Sequence, residues 1–213
     1  MVAMSDAGRI GVFGRSGSGK STLVKKLIAK RKRVIIFDPQ DEYKEVKGVF
    51  TVRRIDDVRA YIARNWRKSF KVAYVPPANN EMEALDRLSK LAKLAQIRFF
   101  EGVDNRQLTL VVEEMHECFP VTTMPKNLSG FGTLCSKGRH YGVELIGASQ
   151  RIAEVNKRFR GNCSELYILP QQDYVDIKLA AKQLGFVKPE EVQALQPHNF
   201  MLRKDGKVTR GKN

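Results

Sequence analysis

Short apolar runs rich in β-branched residues recur along the chain, each separated from the next by a longer stretch with helical spacing. The runs at 10–13, 34–37, 71–75, 108–112, 143–148 and 166–169 predict strands. The third stops at Pro76-Pro77, which have no N–H to offer a ladder. Between the runs, residues 21–30, 55–66, 81–95 and 174–184 predict helices. In the stretch 81–95, Met82, Leu85, Leu88, Leu91, Ala92 and Ala95 form one apolar stripe, the mark of a helix laid on a core. This alternation predicts an α/β fold: a parallel sheet covered by helices on both faces, with ligands gathering beyond the carboxyl ends of the strands.

The end of the chain follows another pattern. Pro189 with Glu190 and Glu191 opens a short helix, and residues 200–203 and 207–208 flank Asp205-Gly206, a hairpin signal. One domain over 1–213 is expected, with its core at about 8–185 and the terminal helix and hairpin within 189–210.

The loop after the first strand carries the clearest chemistry. Gly14-Arg15-Ser16-Gly17-Ser18-Gly19-Lys20-Ser21 fits G-x-x-x-x-G-K-[ST] between a strand and a helix, the setting a phosphate-binding loop requires. The glycines let backbone N–H groups turn inward around phosphates where a side chain would block the approach. Lys20 supplies a point charge to the same phosphates, and Ser21 a hydroxyl to Mg²⁺. Thr22, opening the helix, completes the expected nucleotide-binding set from Gly14. ATP with Mg²⁺ is the implied ligand pair.

A second chemical signal lies at the end of the strand at 108–112, which runs into Glu113-Glu114. A triphosphate hydrolase needs one acid for the metal shell and one to orient or deprotonate the attacking water. Glu113 is assigned to the metal and Glu114 to the water. Gln150 leaves the end of the next strand, where its amide reaches toward the γ-phosphate or the water. Arg139 precedes that strand, at its opposite end, and is expected to serve a neighbouring subunit's nucleotide in trans. Arg158 and Arg160 compete for that role.

Charge changes the picture of partners. The chain of 213 residues has a formal net charge of +15. Six of the nine residues from Lys25 to Arg33 are basic, and the tail from Arg203 carries five cations against one Asp. A protein this basic sits in the field of a polyanion, and nucleic acid is favoured over a membrane surface. Cys118, Cys135 and Cys163 are too few and too scattered for a disulfide framework or a zinc site, so buried thiols are expected. No apolar run approaches the length of a membrane span, so no integral membrane segment is expected.

Taken together, the loop at 14–21, Asp38-Pro39-Gln40-Asp41-Glu42-Tyr43, Glu113-Glu114, and the run from Gly138-Arg139 to Gln150-Arg151 resemble the FtsK/HerA superfamily of DNA-pumping ATPases. In size the chain resembles the genome-packaging ATPases of tailless icosahedral viruses with an internal membrane. The resemblance implies a RecA/FtsK-like P-loop fold and a homo-oligomeric ring, with a hexamer expected. It implies ATP-driven threading of double-stranded DNA into a preformed capsid. Capsid or membrane-vertex proteins are then further partners, and the host cytoplasm or a virion vertex the location. Glu113 departs from the Asp that such enzymes place on the metal side. Three alternatives remain open at this stage: a cellular HerA-like DNA pump, a filamentous-phage assembly ATPase, and a small-molecule nucleotide kinase. The kinase would need an acceptor site that the sequence does not display.

Overall fold

The computed structural model describes residues 7–213. In chain order the elements open with β1 (Arg9–Phe13), α1 (Lys20–Ala29), β2 (Arg33–Phe37), β3 (Phe50–Val52), α2 (Ile55–Asn65) and β4 (Phe70–Tyr74). Then come α3 (Glu81–Ala95), α4 (Ile97–Phe100), β5 (Leu108–Val112), α5 (Met115–Cys118), α6 (Gly130–Lys137) and β6 (Val143–Ser149). The last third holds α7 (Lys157–Arg160), β7 (Glu165–Ile168), α8 (Tyr174–Leu184), α9 (Pro189–Gln193), β8 (Asn199–Lys204) and β9 (Lys207–Lys212).

The strands join in one sheet of order β3-β4-β2-β5-β6-β1-β7-β8-β9. Every pairing from β3 to β7 in the sheet order is parallel, and the pairings β7–β8 and β8–β9 at the far edge are antiparallel. All six strands and the hairpin expected from the sequence are present. Strand β3 was not foreseen, because three residues with an exposed Phe50 leave too little periodicity. Helix α6 was also missed: Gly130 and Gly132 weaken its helical signal.

Alternation along the strands sends one residue set to each face. Phe13, Ile35, Phe37, Leu110 and Val112 pack under α2, α3, α6 and α8, while Val12, Val34, Ile36 and Val111 face α1. Helices therefore lie on both sides, but unequally. On the α1 side the cover is completed by Tyr43, Val46 and Val49 from the loop after β2, and by Phe200 and Leu202 of the hairpin. The three cysteines are buried free thiols, with burial pushing Cys163 up to about 12.

The strand order fixes the site. Strand β6 lies between β1 and β5, so the residue leaving β6 stands between the loop after β1 and the acids after β5. All three segments emerge at the carboxyl edge of the sheet, where backbone groups of strands give way to loops free to face a ligand.

Candidate active site

The loop from Gly14 to Gly19 is pinned at both flanks. Its Gly14 N–H donates to Ser149 O of β6 at 3.2 Å, and Arg15 N–H to Pro170 O beyond β7 at 2.8 Å. Gln171, buried, adds bonds from Nε2 to Phe13 O and Leu169 O, both at 3.0 Å. Gly17 and Gly19 have φ of +69° and +100°, a region where a Cβ is strained. A Cβ on Gly17 would meet nothing within 4 Å, so that position faces open space. At Gly19 the outer side is closed by His198 Nδ1 and Asn213 Nδ2, which a Cβ would approach to 2.8 and 2.9 Å. Asn213 Nδ2 and the His198 N–H donate to the carbonyls of Gly19 and Ser18, each at 2.9 Å, and so hold those oxygens outward.

Lys20 opens α1 and is buried, its ammonium donating to Arg15 O at 3.3 Å. Burial holds its pKa below the usual lysine range; Glu114, Glu113 and Glu42 act in the opposite sense, in that order. Three carboxylates thus converge on one ammonium. Arg15, Ser16 and Thr22 are exposed. Ser21 Oγ donates to Glu42 Oε2 at 2.8 Å, so its carboxylate partner here is Glu42 and not Glu113.

Glu42 is a residue the sequence reading left without a role, and Asp38 explains its position. The fully buried Asp38 carboxylate accepts the N–H of Glu42 and of Tyr43, each at 3.0 Å. That turn, with Asp41 at φ +56°, aims Glu42 at Ser21 and the Tyr43 hydroxyl at Glu113, whose Oε1 accepts at 2.6 Å. Burial pushes Glu113 up to about 7; the Tyr43 bond pulls the other way, and Glu42, Glu114 and Asp38 add to the rise. The signal was in the sequence, as an Asp with a Glu and a Tyr four and five positions on. Their separate targets were not.

Glu114 sits at φ +44° between β5 and α5, a left-handed conformation that turns its side chain off the strand line. Its Oε1 accepts from Gln150 Nε2 at 3.2 Å. Its Oε2 is buried without a hydrogen bond. His116 Nδ1 approaches that oxygen to 3.3 Å, but its hydrogen-bonding contact is Ser149 Oγ at 3.1 Å. A carboxylate with one oxygen held by an amide and the other left over is equipped to take a proton. His116 is a second neighbour that sequence spacing did not single out.

The arginines divide. Arg151 is taken up by acids: Nε bonds Asp176, and the ends of its fork lie 3.3 and 3.5 Å from Glu154 and Asp173. Arg139 is exposed on a 3-10 turn ahead of β6, at the edge opposite the loop, and does not reach this site. Arg158 packs on Gly132, and Arg160 donates from Nε to Val155 O at 3.0 Å.

A glycine-rich loop entering α1 beside an acid-bearing strand end defines the class: this is a P-loop NTPase fold, mostly parallel, with a small antiparallel hairpin. The family follows from comparison. The central domain of the helicase HerA matches residues 7–116, slightly more than half of the chain, and the chain belongs to that family. It is 26% identical over 155 residues to protein P9 of Pseudoalteromonas phage PM2, covering 72% of this chain but 64% of P9's length. Its fold is similar to the genome packaging NTPase B204 of Sulfolobus turreted icosahedral virus 2 in complex with AMPPCP, at TM-score 0.76, 18% identity and 97% coverage of both chains. The bacterial conjugative coupling protein TrwB aligns at TM-score 0.62 and 11% identity, over 97% of this chain and 85% of that one.

Proposed function

We propose that the chain is an ATPase that translocates double-stranded DNA and packages a viral genome into a preformed capsid. What carries the reading is the extent of the likeness to B204. It runs over 97% of both chains, and it stands beside the HerA-family match over residues 7–116.

In this reading the loop from Gly14 to Ser21 binds the phosphates by backbone N–H groups, and Lys20 neutralises them. Thr22 lies at the start of the same helix, with Arg15 and Ser16 at the mouth. Mg²⁺ would be held by Ser21, with Glu42 and Glu113 facing its shell, and would neutralise charge on the transferring phosphoryl group. Glu114 accepts the attacking water's proton on Oε2 while Gln150 fixes Oε1. Arg139 completes the site of the next subunit in a ring, for which six copies are our reading. Capsid or vertex proteins are the further partners, with action in the host cytoplasm or at a virion vertex. Among the described residues no helix is long and apolar enough to cross a membrane.

The test is ATP turnover measured with and without duplex DNA of unrelated sequences. Stimulation of about tenfold or more by every duplex is expected of a motor whose cycle includes DNA. Turnover indifferent to DNA but raised by a nucleoside or nucleotide acceptor would replace this reading with a kinase.

A further inference from the structure

The edge of the sheet opposite the phosphate loop carries its own cleft, of about 570 Å³, at the start of β2, β5 and β6. Its wall includes four consecutive cations, Lys30, Arg31, Lys32 and Arg33, with Arg106 across from them and Glu144 the one acid among the lining residues. The acids there are already answered. Arg31 makes a fork to Glu144 at 2.7 and 2.8 Å, and Arg106 pairs with Asp104 at 2.7 Å. Thr109 Oγ1 also donates to Glu144, at 2.9 Å, which fixes that pair to the sheet. Lys30 and Lys32 are exposed and make no ion pair among the described residues. Arg33 is turned against Trp66, donating from Nε to its carbonyl at 2.9 Å, and its guanidinium is held down by burial and then by the like charge of Arg106.

Two ordinary explanations account for only part of this. Cations near a helix C-terminus are favoured by its dipole, and Lys71 meets that need directly by donating to Ala29 O at 3.1 Å. A solvated basic face would spread its charges, whereas here four consecutive cations and Arg106 line one cleft with Glu144 the one acid among the lining residues. Like charges held together around a cleft are stabilised by an anion placed between them.

We infer that this cleft binds the phosphate backbone of duplex DNA, with Lys30 and Lys32 as its contacts. The inference rests on the DNA-motor reading above and locates the DNA on the edge away from the nucleotide. The cleft opens on the α1 side of its edge. Arg139 stands on a turn that packs with α4 and α6 on the other side, so the two roles do not compete for the same surface.

The experiment compares the wild-type chain with Lys30→Glu/Lys32→Glu and with Lys178→Glu/Lys182→Glu at exposed positions of α8, a control with the same charge change. Binding to fluorescent duplexes of about 30 base pairs is measured across a salt series, with basal ATP turnover alongside. The cleft variant is expected to bind at least about tenfold more weakly, with a salt slope reduced by about 2, while basal turnover stays unchanged. The control should lose less than about threefold. If wild type binds and the cleft variant binds equally well, or if the control falls as far, the cleft is not the DNA site and the motor reading stands. If wild type binds no duplex at all, both fall.

Discussion

Gln150 Nε2 donates to Glu114 Oε1 at 3.2 Å, across the end of β6, while the other oxygen of the same carboxylate is buried without a hydrogen bond. Two residues 36 positions apart in sequence meet because β6 is inserted beside β5 in the sheet. Glu114→Gln is therefore expected to keep nucleotide binding within about threefold and lower turnover by about a hundredfold or more, since the lost function is proton acceptance. Gln150→Ala should lower kcat less, by about tenfold, leaving the acid present but mobile. Equal loss of binding and turnover in Glu114→Gln would place Glu114 on the metal side.

Lys20→Ala should abolish turnover without unfolding the protein. The ammonium is buried near carboxylates and, among the described residues, its hydrogen bond goes to Arg15 O, so its work is neutralisation of charge and not packing. Residual kcat above about a tenth of wild type, a barrier change under about 1.4 kcal/mol, would contradict the assignment of the loop. Thermal unfolding of the same variant checks the fold.

The turn after β2 gives a separate outcome. Asp38→Ala removes the acceptor of two buried N–H groups, and the loss of hydrogen bonds to a charged group costs about 2–4 kcal/mol of stability. Asp38→Asn keeps one acceptor oxygen but turns an NH2 toward the other N–H, so it should recover only part of that loss. Because the turn also aims Glu42 at Ser21, Asp38→Ala should weaken Mg²⁺-dependent nucleotide binding, measured by titration with and without the metal.

Glu113 makes stability depend on pH. Its folded pKa is raised to about 7 from an ordinary 4.5, so the folded state holds a proton that the unfolded state releases. Stability is fully present below the unfolded value, is lost as pH rises through the window to about 7, and levels off above it. The shift corresponds to about 3 kcal/mol. Denaturant unfolding of metal-free protein should show Glu113→Gln gaining on wild type by about that amount between pH 4.5 and 8. A difference that stays flat with pH would show that Glu113 ionises as an ordinary carboxylate.

Much of this was legible in the chain. The phosphate loop declared itself because glycine spacing, Lys20 and the flanking strand and helix are all local. The strands were visible for the same reason: runs such as Val34–Phe37 are buried on both faces and need no partner to be recognised. What sequence could not carry is which loops meet. Glu42 and Tyr43 are neighbours in sequence but serve Ser21 and Glu113, and only the buried Asp38 carboxylate and the strand order decide that. The grip of His198 and Asn213 on the loop was hidden likewise, since it depends on the hairpin folding back to the edge of β7.

Arg139 is expected to act between subunits. It is exposed at the far edge from its own phosphate loop, so a role in hydrolysis requires a neighbour's nucleotide. Arg139→Ala and Glu114→Gln subunits, each inactive alone, should recover part of the activity when mixed, because some interfaces then pair a normal Glu114 with a normal Arg139. No recovery in verified mixed assemblies would transfer the role to Arg158 or Arg160.

The most direct measurement of the central claim is displacement of a third DNA strand annealed to one end of a long duplex, followed with ATP. A protein that moves along double-stranded DNA strips the third strand, and one that merely binds and hydrolyses does not. The expected result is release that requires ATP, fails with Glu114→Gln, and takes longer as the duplex between entry and triplex lengthens. ATP hydrolysis stimulated by DNA with the third strand left in place would contradict the translocase.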